Sequence, residues 1–504
     1  VSQNEDLSKW LQTRYLGRYL AYCLIGPGAP MFVALLTIPR VVAGLGVDRF
    51  GLLTLVWAII GYFSLFDLGI GRATIRLVAE YRAQERTAEL RTVVKTALAA
   101  TAVLGVFGSL ILVLTTPLLV ARLLPANSPL TGEALHCFYA MAVAVPFISL
   151  TATLRGLLEV QQRFKLVNQI QIAMGFFTYL GPLISLQFFP GLFPVVVLLA
   201  GARILICGIF WLVTWPTTPA SEHSRFDRAV LRRLLVMGGW LTVTNVVSPI
   251  IVYSDRFFIG STISLQAVSY YATTFEAVYR LTVFSSAAAQ VLYPALSTFV
   301  ALDRQKVVRL LEMGTLAISA AVFPAVVVIV LFASQLLTLW LGAEFASHSG
   351  FVLRALAIGV MVNMCAQVPM VLLLGAEKAG WVARLHLLEF VIYIPTLYFT
   401  VKLFGINGVA VLWLLRSSLD YCALTAMTLK LVPEFAPFIR RFAATVLVSV
   451  MAIAGATLLP QLMARGALGA VLLAWFFLVL YKWLLNDEQR GQIQRWIGLL
   501  TMAR

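Results

Sequence analysis

The chain has 504 residues, 61% of them apolar and 12% charged, and its 38 basic and 22 acidic side chains give a formal charge of +16. Soluble domains run at about 45–50% apolar and about 25% charged, so this composition excludes a water-soluble enzyme and points into a bilayer. The surplus of positive charge does not indicate nucleic acid, because the basic residues fall in short loops between apolar spans and so report orientation in a membrane.

In chain order, residues 1–18 are polar and carry Lys9, Arg14 and Arg18. They lead into an apolar segment too long for the core of a signal peptide, which is expected to remain as the first transmembrane helix. Apolar stretches of about 18–28 residues, enough to cross roughly 30 Å of hydrocarbon, then follow at 19–42, 51–71, 96–120, 135–158, 168–189, 193–215, 235–259, 268–299, 311–334, 351–374, 382–404, 407–430, 441–461 and 466–485. The expected fold is an all-α polytopic membrane protein with about fourteen transmembrane helices.

The first span holds the run Gly26-Pro27-Gly28-Ala29-Pro30. Proline removes a backbone donor and kinks a helix, so this run is expected to unwind mid-span, as a hinge, as a cavity wall or simply for packing. Arg40, Arg49 and Arg256 lie near the outer ends of spans 1, 2 and 7. There they can snorkel to the interface or line a cationic lumen. Arg203 sits near the middle of span 6 with no acid three or four residues away, so its counter-charge must come from elsewhere. Arg280 follows Glu276 by four residues and Arg416 precedes Asp420 by four, the spacing of an intrahelical pair.

These arginines are the candidates for binding an anionic cargo, since the planar guanidinium can donate two hydrogen bonds to a phosphate and keeps its charge in a dry site. Asp67, Glu276, Glu389 and Asp420 are the candidates for coupling to H⁺ or Na⁺ if burial tunes their protonation. Asp67 can equally cap a neighbouring helix, and Glu389 has His386 one turn away. No catalytic group is identified, because no loop reaches ~30 residues and a soluble catalytic domain usually needs about 50 or more. No metal or other cofactor is expected. The four histidines are scattered, and the five cysteines (Cys23, Cys137, Cys207, Cys365, Cys422) are widely spaced in or beside apolar segments and read as buried thiols.

Loop by loop, the N-terminus, the loops after even-numbered spans and the tail hold roughly 28 of the 38 basic residues, against roughly seven on the other side. Both termini are therefore expected in the cytoplasm. A shift of about 218 residues brings Leu45–Thr54 onto Ile263–Ala272 and Leu118-Leu119 onto Leu336-Leu337. An even number of helices per unit makes this a parallel repeat about an axis along the membrane normal, as in transporter halves. The organisation read from it is a cytoplasmic N-terminus (1–18), an N-lobe (19–215), a basic cytoplasmic linker (216–234), a C-lobe (235–430), two further helices (441–485) and an amphipathic cytoplasmic tail (486–504). That tail is expected to rest on anionic lipid.

Leu45-Gly46-Val47-Asp48-Arg49-Phe50-Gly51, Phe66-Asp67-Leu68-Gly69 with Arg72, and in the second half Asp255-Arg256-Phe257-Phe258-Ile259-Gly260, Val268-Ser269-Tyr270-Tyr271-Ala272 and Tyr293-Pro294-Ala295-Leu296-Ser297 resemble the polysaccharide transport family. That family lies within the multidrug, oligosaccharidyl-lipid and polysaccharide exporter superfamily. The resemblance implies a bacterial inner-membrane protein that flips a polyprenyl-pyrophosphate-linked oligosaccharide toward the periplasm for surface polysaccharide assembly. Membrane lipids, a polysaccharide polymerase and glycosyltransferases would be its partners, and H⁺, Na⁺ or the membrane potential would drive it. The sequence departs from the family at Val268-Ser269, where a glycine is usual before the tyrosine, which leaves the local turn open. Tyr270, Tyr271, Phe275, Tyr279 and Trp240 are candidates to stack on sugar, or ordinary packing aromatics.

Two other readings stand beside this one. A cation-coupled multidrug exporter would show about twelve helices and acidic cavity residues. A polytopic polysaccharide polymerase would show a long external loop with clustered polar residues.

Overall fold

In hydrocarbon no water is at hand for the backbone, so each span must satisfy its own amides and carbonyls, and the helix does so residue by residue. The computed structural model describes residues 30, 32–65, 70–83, 87–125, 127–161, 163–217, 226–300, 302–457, 459–484 and 490. Its helices are α1 (Phe32–Leu45), α2 (Val47–Leu65), α3 (Ile70–Ala83), α4 (Thr87–Leu123), α5 (Thr131–Val160), α6 (Phe164–Phe188), α7 (Leu192–Thr214), α8 (Arg228–Thr262), α9 (Leu265–Tyr279), α10 (Thr282–Phe299), α11 (Arg304–Leu341), α12 (Ala343–Gly375), α13 (Ala379–Leu431), α14 (Ala436–Thr457) and α15 (Leu462–Val479).

Among the described residues, nine helices are long and apolar enough to cross a membrane. One of them, α13, has 53 residues and breaks at Gly405 (φ 59°, ψ −154°), so it supplies both predicted spans 382–404 and 407–430. Gly191, just before α7, also has positive φ (113°). It stands at the equivalent span border of the first repeat, about four residues from the exact shift, where glycine turns the chain at little cost. The repeat recurs in other borders too: Leu123 ends α4 and Leu341 ends α11, about 218 residues apart.

Two predicted spans differ in detail. Span 51–71 appears as α2 and α3, and span 268–299 as α9 and α10. Between α9 and α10 the amides of Leu281, Val283 and Phe284 bond to carbonyls three residues back, a tight turn that places the charged Arg280 at a break instead of inside a helix. The helix of span 235–259 also starts early, at Arg228, because Asp227 caps it: its Oδ1 accepts from the amides of Ala229 (2.7 Å) and Val230 (3.4 Å).

Contacts divide the described residues into two compact units, one within 13–277 and 379–412, the other within 278–378 and 413–504. In the first, α4 and α5 lie close enough that a methyl on Gly105 would come within 2.6 Å of the Pro146 Cα. Hydroxyls fasten the pair, with Thr101 and Thr153 at 2.9 Å and Ser109 Oγ donating to the Ala142 carbonyl at 2.6 Å. Small residues and hydroxyls suit helix contacts in lipid, where burying apolar surface gains little. The helices α8, α2, α3 and α4 also pack together in this unit. In the second unit α11 packs on α12, and α15 lies along α11 with Phe323 and Phe476 stacked at 3.9 Å.

Cys137, Cys207 and Cys365 are buried, whereas Cys422 is exposed, a correction to its expected burial. A weakly polar thiol tolerates either setting.

Candidate functional site

The first unit brings the two repeats into direct contact through matched segments. Ser269 Oγ, in α9, donates to the Val47 carbonyl in α2 at 2.5 Å. One turn on, a Cβ at Gly51 would collide with the Leu265 carbonyl oxygen and come within 3.0 Å of Ser269 Oγ. Under the repeat shift Val47 corresponds to Leu265 and Gly51 to Ser269, so the contacts 47–269 and 51–265 exchange with each other. Such reciprocity is the mark of a two-fold relation. Ser269 therefore sits inside a helix, and the departure from the family's glycine affects the repeat junction instead of a turn.

Around this junction lies a buried charge. Arg256 (α8) is fully buried, as is Asp255. Arg256 Nη2 donates to Glu276 Oε1 of α9 at 2.8 Å, and Nη1 lies 3.4 Å from the Thr54 carbonyl of α2. Asp255 Oδ1 accepts from the Arg256 amide at 2.8 Å. The guanidinium also sits near the rings of Tyr253 (5.2 Å) and Phe275 (5.5 Å), so acid, carbonyl and π-faces compensate for lost water. Glu276 is thus held by Arg256 on another helix, where the sequence spacing had suggested Arg280. Tyr271 and Phe275 stack at 6.2 Å and, with Tyr270, are buried in packing.

Arg203 (α7) has a different setting. Its Nη2 donates to the Thr178 hydroxyl of α6 at 3.3 Å, and its Nε is buried without a hydrogen-bond partner. Among the described residues no acid pairs with it.

Arg49 and Arg40 are more exposed. Arg49 Nε bonds to Glu133 Oε2 at 2.7 Å, and Glu133 Oε1 accepts from the Leu192 amide at 2.6 Å, so one carboxylate ties α2, α5 and the start of α7. Arg40 donates to the Leu36 carbonyl of its own helix at 3.0 Å. Sequence spacing gave no hint of Glu133, which is distant in the chain from both partners. In the same unit His386 is buried, with Nδ1 3.4 Å from Ser248 Oγ, and Glu389 follows it by three residues on α13.

In the second unit Arg280 lies at the α9–α10 break, the Arg416 guanidinium lies 5.8 Å from the centre of the Trp413 ring, and Asp420 is buried. Pro30 packs against Gly175 of α6, where an added Cβ would come within 2.5 Å of it. Asp67, Gly26, Pro27, Gly28 and nearly all of the 486–504 tail lie outside the described residues, and the side chain of Trp240 is not described.

Comparison with known proteins agrees with this architecture. An inward-facing multidrug resistance MATE family transporter of the MOP superfamily superposes with TM-score 0.67 at 14% identity, covering 83% of this chain and 99% of that one. The lipid II flippase MurJ in an inward closed conformation gives TM-score 0.66 at 13% identity, covering 91% and 98%. At such identities the likeness speaks for the fold. A Shigella flexneri protein named as a candidate O-antigen transporter is 27% identical over 399 residues, 79% of this chain and 94% of the relative. These relatives are multi-pass transporters and flippases, not enzymes. A family model described as polysaccharide biosynthesis protein matches residues 45–350, more than half of the chain and the whole of the repeat junction, and the chain belongs to that family.

Proposed function

We propose that this protein flips a polyprenyl-pyrophosphate-linked oligosaccharide from the cytoplasmic to the periplasmic leaflet of the bacterial inner membrane by alternating access, with both termini in the cytoplasm. Family membership supports a cargo of polysaccharide assembly, and the Shigella relative's name supports an O-antigen-type repeat unit. The observation that carries the reading is Arg203, a guanidinium in a membrane-spanning helix bonded to a neutral hydroxyl and to no acid among the described residues. An uncompensated cation at that depth costs a few kcal/mol or more, and a pyrophosphate or acidic sugar is the anion that would offset it.

In this mechanism Arg203 meets the charged head of the cargo, and the polyprenyl tail stays in lipid. The matched 47–269 and 51–265 contacts act as the pivot of the two repeats, and Gly26 and Gly28 provide the local hinge. Glu276, Glu389, Asp420 and Asp67 are the candidates for coupling to H⁺ or Na⁺. A polymerase and glycosyltransferases supply and consume the lipid-linked unit.

The test is deletion of the gene in its own host with extraction of labelled polyprenyl-linked lipids, complemented by wild type or Arg203→Gln. Lipid-linked oligosaccharide accumulating on the cytoplasmic leaflet, restored by wild type and not by Arg203→Gln at equal protein level, is the expected result. Single repeat units already on the outer leaflet would point to polymerisation, and normal lipids with altered drug sensitivity to an exporter; either overturns the proposal.

A further inference from the structure

The first unit carries a groove outside the candidate site. Where the chain enters α8, an open groove of about 540 Å³ is lined by Phe226, Arg228, Leu231, Arg232, Leu235 and Val236. The helix is two-faced over these turns. Val230 and Leu234 are buried in a core with Tyr81 of α3, Val93 of α4 and Phe210 of α7, and at about 100° per residue the groove residues of α8 fall on the opposite side.

Arg228 and Arg232 stand one turn apart on that outer face, so their Cβ atoms lie about 5–6 Å from each other, and both side chains are exposed. Among the described residues neither forms an ion pair. Their neighbour Arg233 is the contrast: it donates to Glu80 Oε1 at 2.7 Å and lies 5.7 Å from the centre of the Tyr81 ring, so its charge ties α8 to α3. The acid beside the groove, Asp227, has its Oδ1 taken by the amides of Ala229 and Val230, and no other acid occurs in α8 before Asp255. The groove therefore offers two guanidiniums to an anion.

Its apolar part decides the kind of anion. Phe226, Leu235 and Val236 are 50%, 44% and 73% exposed, and Leu235 opens the apolar stretch 235–259. From Arg232 to Val236 the helix rises about 6 Å, close to the roughly 5–7 Å that the headgroup layer adds on each side of the hydrocarbon. An acidic peptide would match the arginines and leave the apolar side chains wet; a lipid with an anionic head satisfies both.

We propose that Arg228 and Arg232 hold the phosphate of an anionic phospholipid, with its acyl chains laid over Phe226, Leu235 and Val236. Two planar guanidiniums supply enough N–H donors for both non-bridging phosphate oxygens, and basic residues clustered just outside a membrane helix are drawn to anionic headgroups. The site does not depend on the flippase reading.

The test uses the full-length protein in phosphatidylcholine nanodiscs containing a small fraction of photoactivatable phosphatidylglycerol, with peptide mapping of the adducts. Wild type should carry label within 226–236. Arg228→Gln and Arg232→Gln should each lower that labelling about fivefold, and the double variant about thirtyfold. Both arginines are exposed, so the variants should melt with wild type. Arg304→Gln, which removes an exposed arginine from the other unit, should leave the labelling unchanged. Unlabelled phosphatidylglycerol should displace the probe. Labelling that survives the double substitution, that falls equally with Arg304→Gln, or that is matched by a photoactivatable phosphatidylcholine overturns the proposal. So does a probe displaced by poly-glutamate, or by a polyprenyl pyrophosphate more readily than by phosphatidylglycerol.

Discussion

Arg256 and Arg203 are the same residue type in the same unit, yet they are held in opposite ways. Arg256 is fully buried and satisfied by Glu276, the Thr54 carbonyl and two aromatic faces. Arg203 has a 3.3 Å bond to Thr178. The first belongs to the architecture, because it joins α8 and α9 of one repeat to α2 of the other. The second is an unmet demand for negative charge. A buried arginine is therefore not by its burial alone a candidate for binding.

The contrast predicts its own largest effect. Glu276→Gln removes the carboxylate that bonds the buried Arg256 and leaves Asp255 and the Thr54 carbonyl beside it; breaking a buried pair costs up to about 3–5 kcal/mol, so folded protein recovered from membranes should drop. The double change Arg256→Met, Glu276→Leu should recover most of it, since replacing both partners by apolar groups is often neutral. Equal yields of wild type and Glu276→Gln would make Arg256 a cation like Arg203.

Next in size is the repeat junction. Gly51→Val pushes a side chain into the Leu265 carbonyl and Ser269 Oγ, and overpacking of this kind costs about 1–3 kcal/mol. A lower Tm than wild type is expected, with transport reduced further than the Tm shift explains if the junction is a pivot. Gly132→Val, where a Cβ meets nothing within 4 Å, is the control that should leave both unchanged.

The sequence made much of this visible and hid a definite part. Span positions were legible because long apolar runs end at polar or glycine breaks, and the shift that aligns Leu45–Thr54 with Ile263–Ala272 was legible because repeat-related helices keep similar lengths. That those two segments touch was not, since sequence similarity between repeats carries no distance. Pairing across helices was hidden for the same reason: Glu276 stands four residues before Arg280, the favoured local spacing, yet it bonds to Arg256. Glu133 serves Arg49 and the Leu192 amide from far along the chain. For Arg203 the sequence showed that no acid stands three or four residues away and left its counter-charge to come from elsewhere; among the described residues no acid pairs with it.

For Arg203 the stability effect should be small. Arg203→Gln loses a long hydrogen bond to a neutral group, worth at most about 1 kcal/mol, and removes a charge with no acid opposite it. The variant should melt close to wild type while losing cargo transport. A Tm drop as large as that of Glu276→Gln would give Arg203 an architectural role and erase the contrast.

The smallest effect tests charge outside the membrane, where water screens what hydrocarbon magnifies. Asp303 caps α11, its Oδ1 accepting from the Lys306 amide at 3.1 Å and its Oδ2 lying 3.3 Å from Lys306 Nζ. The Lys306 amide and ammonium favour the carboxylate and hold its pKa below the ordinary aspartate range. A carboxyl whose folded pKa is depressed adds stability that is complete above its unfolded value, about 3.9, and disappears as pH falls through the folded value. Wild type should therefore melt slightly above Asp303→Ala at pH 7, with the gap steady down to pH ~4.5 and narrowing below about 3.9. A gap that stays constant through that range would mean that the cap acts through shape alone. The same titration on Arg203→Gln should show no narrowing relative to wild type, because among the described residues no carboxylate pairs with the charge it removes.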